Sequence, residues 1–426
     1  MPSALPFVRS LGFPRRAFAT IALLTGCTLA AANAIADQWP NWRGPQSNGV
    51  APQGSYPLQW NLETSENVLW KVPMEERTGS TPAVWDDLIF VTTGSGGKNV
   101  LRAYDWKGEK RWEITAGEEV PGKHKKGSGS NPSPVTDGKQ VFAYFKSGDV
   151  ACVDFTGKLL WHKNLQKEFA TDTLWWDLGT SPVLTNDHLV IACVQSGPSY
   201  LAGFDKQTGE VAWKVDRMLD APEEANQTYS TPLVLEHQGR QMLVVLGADH
   251  VTGHEAKDGK ELWRVGGFNP DQDKYFRSIS SPVAANGIIL APYSRGTTLT
   301  AISLEGKQLW RKAEISADVP TPAAADDRAY VCNDQGRVAC VALKTGEIEW
   351  SVETGKNRNA FSASPILAGR HLYVCREDGA VFVVDIDKQE VVAKSEMGEF
   401  TVSTPVFVNN RILIRTADHL VCIGGK

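Results

Sequence analysis

The chain has 426 residues, 42% hydrophobic and 22% charged, with 38 Gly and 23 Pro. A net charge of −5 provides no cationic surplus to meet a phosphate backbone, so nucleic acid is excluded as a partner. The glycine and proline content suits many short strands joined by turns, and so long a chain makes internal repetition the first feature to seek.

Residues 1–36 read as an export signal. Arg9, Arg15 and Arg16 form a basic start, Ala17 to Ala32 is apolar and uncharged, and Ala34-Ile35-Ala36 is a small-x-small cleavage site before Asp37. Loss of those arginines moves the net charge from −5 to about −8. Two finer readings share the segment. Arg15-Arg16-Ala17-Phe18 resembles a twin-arginine signal. Leu24-Thr25-Gly26-Cys27 resembles a lipobox, which would tether the chain to a membrane through Cys27, although the residues after Cys27 stay apolar. The expected location is periplasmic or secreted. Residues 37–65, which include Trp39-Pro40-Asn41-Trp42-Arg43-Gly44-Pro45, are expected to strap onto the domain that follows.

Residues 66–426 repeat one unit. Each copy opens on Ser/Thr-Pro, at Thr81, Ser133, Ser181, Thr231, Ser281, Thr321, Ser364 and Thr404. Three apolar strand-like runs separated by polar turns follow. The sixth copy shows them well: Arg328 to Cys332, a turn at Asp334-Gln335-Gly336, then Val338 to Leu343. No stretch has sustained helical periodicity. Next comes a tight turn and Gly-x-x-x-Trp, pairing Gly108 with Trp112, Gly157 with Trp161, Gly209 with Trp213, Gly259 with Trp263, Gly306 with Trp310 and Gly346 with Trp350. One Trp per unit at a fixed place is expected to wedge between neighbouring sheets, its indole N–H taken by a backbone partner. The last copy stops after three strands, while an orphan strand around Asn67 to Val72, carrying Trp70, precedes the first. Pairing the two closes a ring and removes the free sheet edges. The expected fold is all-β, an eight-bladed propeller of four-stranded antiparallel blades closed by the N-terminal strand.

These units resemble the PQQ-like (quinoprotein) propeller repeat, best in Phe204-Asp205-Lys206-Gln207-Thr208-Gly209-Glu210-Val211-Ala212-Trp213 and in Ala342 to Trp350. The resemblance implies the fold over residues 66 to 424 but not one function. The family includes PQQ-dependent alcohol dehydrogenases and the BamB-type outer-membrane assembly lipoprotein, which carries no quinone.

Cysteines 152, 193, 332, 340, 375 and 422 sit in apolar runs without CxxC spacing and read as buried hydrophobes, with a Cys332–Cys340 disulfide as the alternative. His250 and His254 are four apart on a strand, too distant to share a metal, and no metal site is expected.

The connections from Trp to the next Ser/Thr are long at 113–132, 162–180, 214–230 and 264–280, and short at 311–320, 351–363 and 394–403. Such loops, raised on one arc of a rigid scaffold, are where functional side chains gather. They and the first connection carry Arg77; His124 with Lys125 and Lys126; Trp175, Trp176 and Asp177; Asn226 and Tyr229; Tyr275, Phe276 and Arg277; Asp318; Asn357, Arg358, Asn359 and Phe361; and Glu399. Aromatic faces mixed with Arg and Asn suit a peptide strand or a planar anion. The leading expectation is a non-catalytic exported propeller that binds an envelope protein or peptide, without a cofactor. One alternative is an oxidoreductase using PQQ and calcium. There Trp175 or Trp176 would stack, Arg77, Arg277 or Arg358 would hold carboxylates, and Asp177 or Asp318 would ligate or act as base; the vicinal cysteines of that enzyme class are absent. A sensor for a small ligand such as a sugar is the other alternative.

Overall fold

The structure, a computed structural model, describes residues 38–425 apart from Ser294 and Glu314. The export signal, with its twin-arginine and lipobox readings at Arg15-Arg16 and Cys27, lies outside the described residues.

Eight four-stranded antiparallel sheets follow one another around a ring. The first consists of Ala83–Trp85, Leu88–Ser95, Lys98–Tyr104 and Lys110–Glu118, in that spatial order. The eighth takes Val406–Val408, Arg411–Arg415 and His419–Gly424, and its outer strand is Val68–Pro73, with Trp70 opposite Cys422. The ring is therefore closed by the N-terminal strand. Helix among the described residues is confined to Leu165–Glu168 and a 3₁₀ turn at Glu223–Asn226.

Burial explains the sequence pattern. The two middle strands of a blade are covered on both faces by neighbouring blades, so Arg337–Ala342 runs almost wholly buried and reads as an unbroken apolar segment. Outer strands such as Ile348–Glu353 alternate between half-buried and exposed, because only one face meets a neighbour.

The tryptophans cross from blade to blade. Trp70 donates to the Trp106 carbonyl, Trp112 to Phe155, Trp161 to Lys206, Trp263 to Leu304 and Trp310 to Leu343, at 2.7 to 2.9 Å. Trp213 departs from the expected backbone partner: its indole donates to His188 Nδ1, 3.3 Å away in its own blade. Each ring also lies on the turn glycine of the following blade. A Cβ on Gly259 would stand 2.6 Å from Trp213, and one on Gly209 2.6 Å from Trp161. The repeated glycine thus supplies both a positive φ, +74° at Gly259, and a bare surface for the preceding blade's indole. In the seventh blade Gln389 takes that turn, and Trp350, Ile386 and Val391 all pack against one buried cluster, with the Trp350 ring tilted on Tyr330 at 6.1 Å.

All six described cysteines are free. The Cys332–Cys340 alternative fails on register, which sets Cys332 opposite Val338 and Cys340 opposite Tyr330. His254 is buried between the Gly259 carbonyl and Thr252 Oγ1, and burial pulls its pKa down to about 4.

Candidate functional site

The Ser/Thr-Pro dipeptides build the waist of the channel. The Thr81 backbone N–H donates to the Ser133 hydroxyl, and the same bond repeats from Ser133 to Ser181, Ser181 to Thr231, Thr231 to Ser281, Ser281 to Thr321, Thr321 to Ser364, Ser364 to Thr404 and Thr404 back to Thr81. These eight bonds, 2.8 to 3.2 Å long, form an unbroken circle around the axis. A small hydroxyl side chain is required because it must accept a buried N–H from the adjacent blade. The proline that follows has no N–H to satisfy.

The segment before the first blade closes the end of the channel away from the long loops. Trp39 bridges the inner strand at Val84, Thr136 donates to the Pro40 carbonyl, Ala324 to that of Asn48, and Val50 pairs beside Leu367. Between these contacts Arg43 is fully buried and donates to the carbonyls of Pro322 and Pro365, the residues following two ring members. Burial without a carboxylate lowers its pKa to about 9. Trp42 reaches into the channel from the same side.

Above the hydroxyl ring lies a cavity of about 420 Å³, within the range of small-ligand sites. Six of the sequence candidates line it: His124, Lys126, Trp176, Asp177, Tyr229 and Arg277. All eight ring residues and Trp42 line it too. Asp177 is 7% exposed and fully engaged, accepting from the backbone N–H groups of Lys123 and His124 and from Lys146 Nζ at 2.6 Å. It fixes the first long loop rather than presenting a free carboxylate. The His124 ring meets Trp176 edge-on at 5.5 Å. The Trp176 indole donates to Glu224, and its backbone N–H to the Tyr229 hydroxyl, whose own proton goes to Gln227. Arg277 lies between Glu224 at 3.4 Å and Asp318 at 3.3 Å. Burial raises the Asp318 pKa.

The other candidates lie outside the cavity lining. Arg77 covers the Phe400 ring and donates to the Lys125 carbonyl, and Arg358 is exposed. Trp175 and Tyr275 stand on the rim, 46% and 43% exposed. Phe361 belongs to the core, and Glu399 is held by Lys71, Thr416 and His419. Sequence reasoning missed Glu224, Lys146 and Glu377, and took the Ser/Thr-Pro pairs only as strand starts. The invariance of a hydroxyl at all eight starts was the signal available for the ring.

The residues present do not fit a quinone tricarboxylate with calcium. Arg277 is already taken by two carboxylates, Lys126 by Glu377 at 2.7 Å, and Lys146 by Asp177. Asp177 has spent its oxygens on donors, and no group of three or more His, Cys, Asp or Glu among the described residues could hold a metal ion.

An eight-bladed ring with a Ser/Thr-Pro waist, indoles bridging its blades and a plugged floor defines a propeller of the PQQ-like repeat class. Within that class, the family model described as outer membrane protein assembly factor BamB matches residues 59–198, 98–263 and 146–395, and the chain belongs to this family. The BamB of Yersinia pestis is 22% identical, over 72% of this chain and 76% of its own length. That of Shewanella oneidensis is 23% identical, over 65% and 64%. Among solved structures, BamB from Moraxella catarrhalis superposes with a TM-score of 0.63 at 16% identity, covering 84% of this chain and 99% of that one. A europium-containing methanol dehydrogenase gives 0.69 at 11% identity, covering 90% of each. At these identities the structural likenesses establish a shared fold, which binding proteins and enzymes both use.

Proposed function

We propose that this chain is an exported, non-catalytic binding propeller whose long-loop rim docks an extended segment of an envelope protein. The carrying observation is the apolar character of that rim. Val120, Trp175, Trp176, Met218 and Tyr275, between 43% and 61% exposed, each stand on one of the four long connections. Rigid exposed aromatics on a fixed scaffold give large contact area at small entropic cost, as protein-binding surfaces require. Relatives named as outer membrane assembly factors support a protein as the occupant. Export follows from the signal at residues 1–36, with processing near Ala36 and a tether through Cys27 as the competing outcome, separable by mass spectrometry of the mature N-terminus.

The test is co-purification of the tagged chain from its own cell envelope, compared with a rim variant carrying Trp175→Ser, Met218→Ser and Tyr275→Ser. A stoichiometric envelope partner held by the native chain and lost by the variant supports the reading. A partner retained by the variant, or a chain that purifies alone, opposes it.

A further inference from the structure

We propose that the channel beneath the rim is a binding site for a neutral polyhydroxyl ligand of sugar size. This inference does not rest on the protein-docking reading, which concerns the exposed loops above.

Each hydroxyl in the waist accepts one backbone N–H, leaving a proton and a second lone pair. Among the described residues none of those protons has an acceptor, although the ring residues are only 1% to 6% exposed and all face the cavity. Eight buried groups that can each donate and accept are the complement of a polyol, whose hydroxyls do the same. An occupant that offers several hydroxyls at once can take up several of these donors and acceptors together in place of water.

Charge decides against an anion. Around the cavity the cations Lys126, Lys146 and Arg277 are met by four carboxylates, Asp177, Glu224, Asp318 and Glu377. Each charged group that lines the cavity, Lys126, Arg277 and Asp177, is thus already paired, so a carboxylate or phosphate would have to break existing ion pairs. A neutral ligand faces no such cost. The indoles suit it as well: Trp42 from the floor and Trp176 from the mouth both line the space, and an indole face packs well on the C–H-rich face of a pyranose ring.

The probes are maltose, trehalose and N-acetylglucosamine, with glutarate and inorganic phosphate as anionic comparators, titrated calorimetrically into the mature chain. Saturable binding of at least one sugar, with a Kd below about 1 mM, is expected, and neither anion should bind. Thr already serves at four ring positions, so the double variant Ser133→Thr, Ser181→Thr keeps every hydroxyl acceptor and adds two methyl groups to the channel. It should fold and weaken the sugar by about tenfold or more. Trp175→Ser, outside the channel, should leave the sugar affinity unchanged while reporting on protein docking. Failure of all three sugars, binding of glutarate or phosphate alone, or sugar binding indifferent to the ring variant would overturn the assignment.

Discussion

Replacing Thr231 by Val probes the circle of hydrogen bonds at its simplest point. Val keeps the branched shape but cannot accept the Ser181 N–H, now bound at 3.0 Å in a site where both residues are at most 6% exposed. A buried donor left unpaired costs about 1–3 kcal/mol. Unfolding entropy of roughly 2.1 cal/mol/K per residue makes each kcal/mol worth about 1 °C in a ring of this length. Thermal unfolding of Thr231→Val should therefore fall by about 1–4 °C, and its urea midpoint should drop without a change of slope. Thr231→Ser retains the oxygen and loses only a methyl group, so it should lie much closer to the native chain. Equal stability of Thr231→Val and the native chain would refute the view that the hydroxyls are chosen as acceptors for a neighbouring blade.

Three further outcomes follow from contacts in the ring. Gly259 and Gly239 share a φ of +74°, but only at Gly259 would a Cβ collide with an indole, that of Trp213. Both alanine variants should lose about 1–2 kcal/mol to backbone strain, and Gly259→Ala a further ~1–3 kcal/mol to overpacking, read as the difference between their urea midpoints. Asp177→Ala should cost about 3–5 kcal/mol because it strands the buried Lys146 ammonium, 2% exposed in its side chain; a loss under 1 kcal/mol would show that Asp177 does not anchor the first long loop. Burial, a hydrogen bond to Glu76 and the charge of Glu76 raise the Glu119 pKa to about 7. The fold thus holds this proton more tightly than the unfolded chain does, so stability should decline as pH rises from about 4.5 through 7. Glu119→Gln should flatten that part of the urea-midpoint profile, and an unchanged profile would remove Glu119 as its source.

The architecture was legible because its determinants are local and repeated. Eight Ser/Thr-Pro starts, six Gly-x-x-x-Trp turns and a split last unit set the blade count and the closure, and the pairing of Trp70 with Cys422 follows directly. The site was only partly legible, since its partners come from distant blades. Lys126 meets Glu377 across the mouth, and Arg277 meets Glu224 and Asp318 from neighbouring loops. Asp177 looked like a free carboxylate because Lys146, on which it closes, lies inside a blade with no motif of its own. The Trp213 exception was equally hidden: it depends on His188 standing within reach of the indole, which the repeat pattern does not encode.

Photo-crosslinking in living cells tests the account at its centre. A benzophenone amino acid would be placed at Trp175 or Met218 on the rim and, as a comparison, at Lys158 or Lys344 on turns of the opposite end. A discrete crosslink to one envelope protein from the rim positions alone is the predicted result. Crosslinks from the opposite end alone, or none from the rim in a stably folded chain, would contradict the rim as the docking surface.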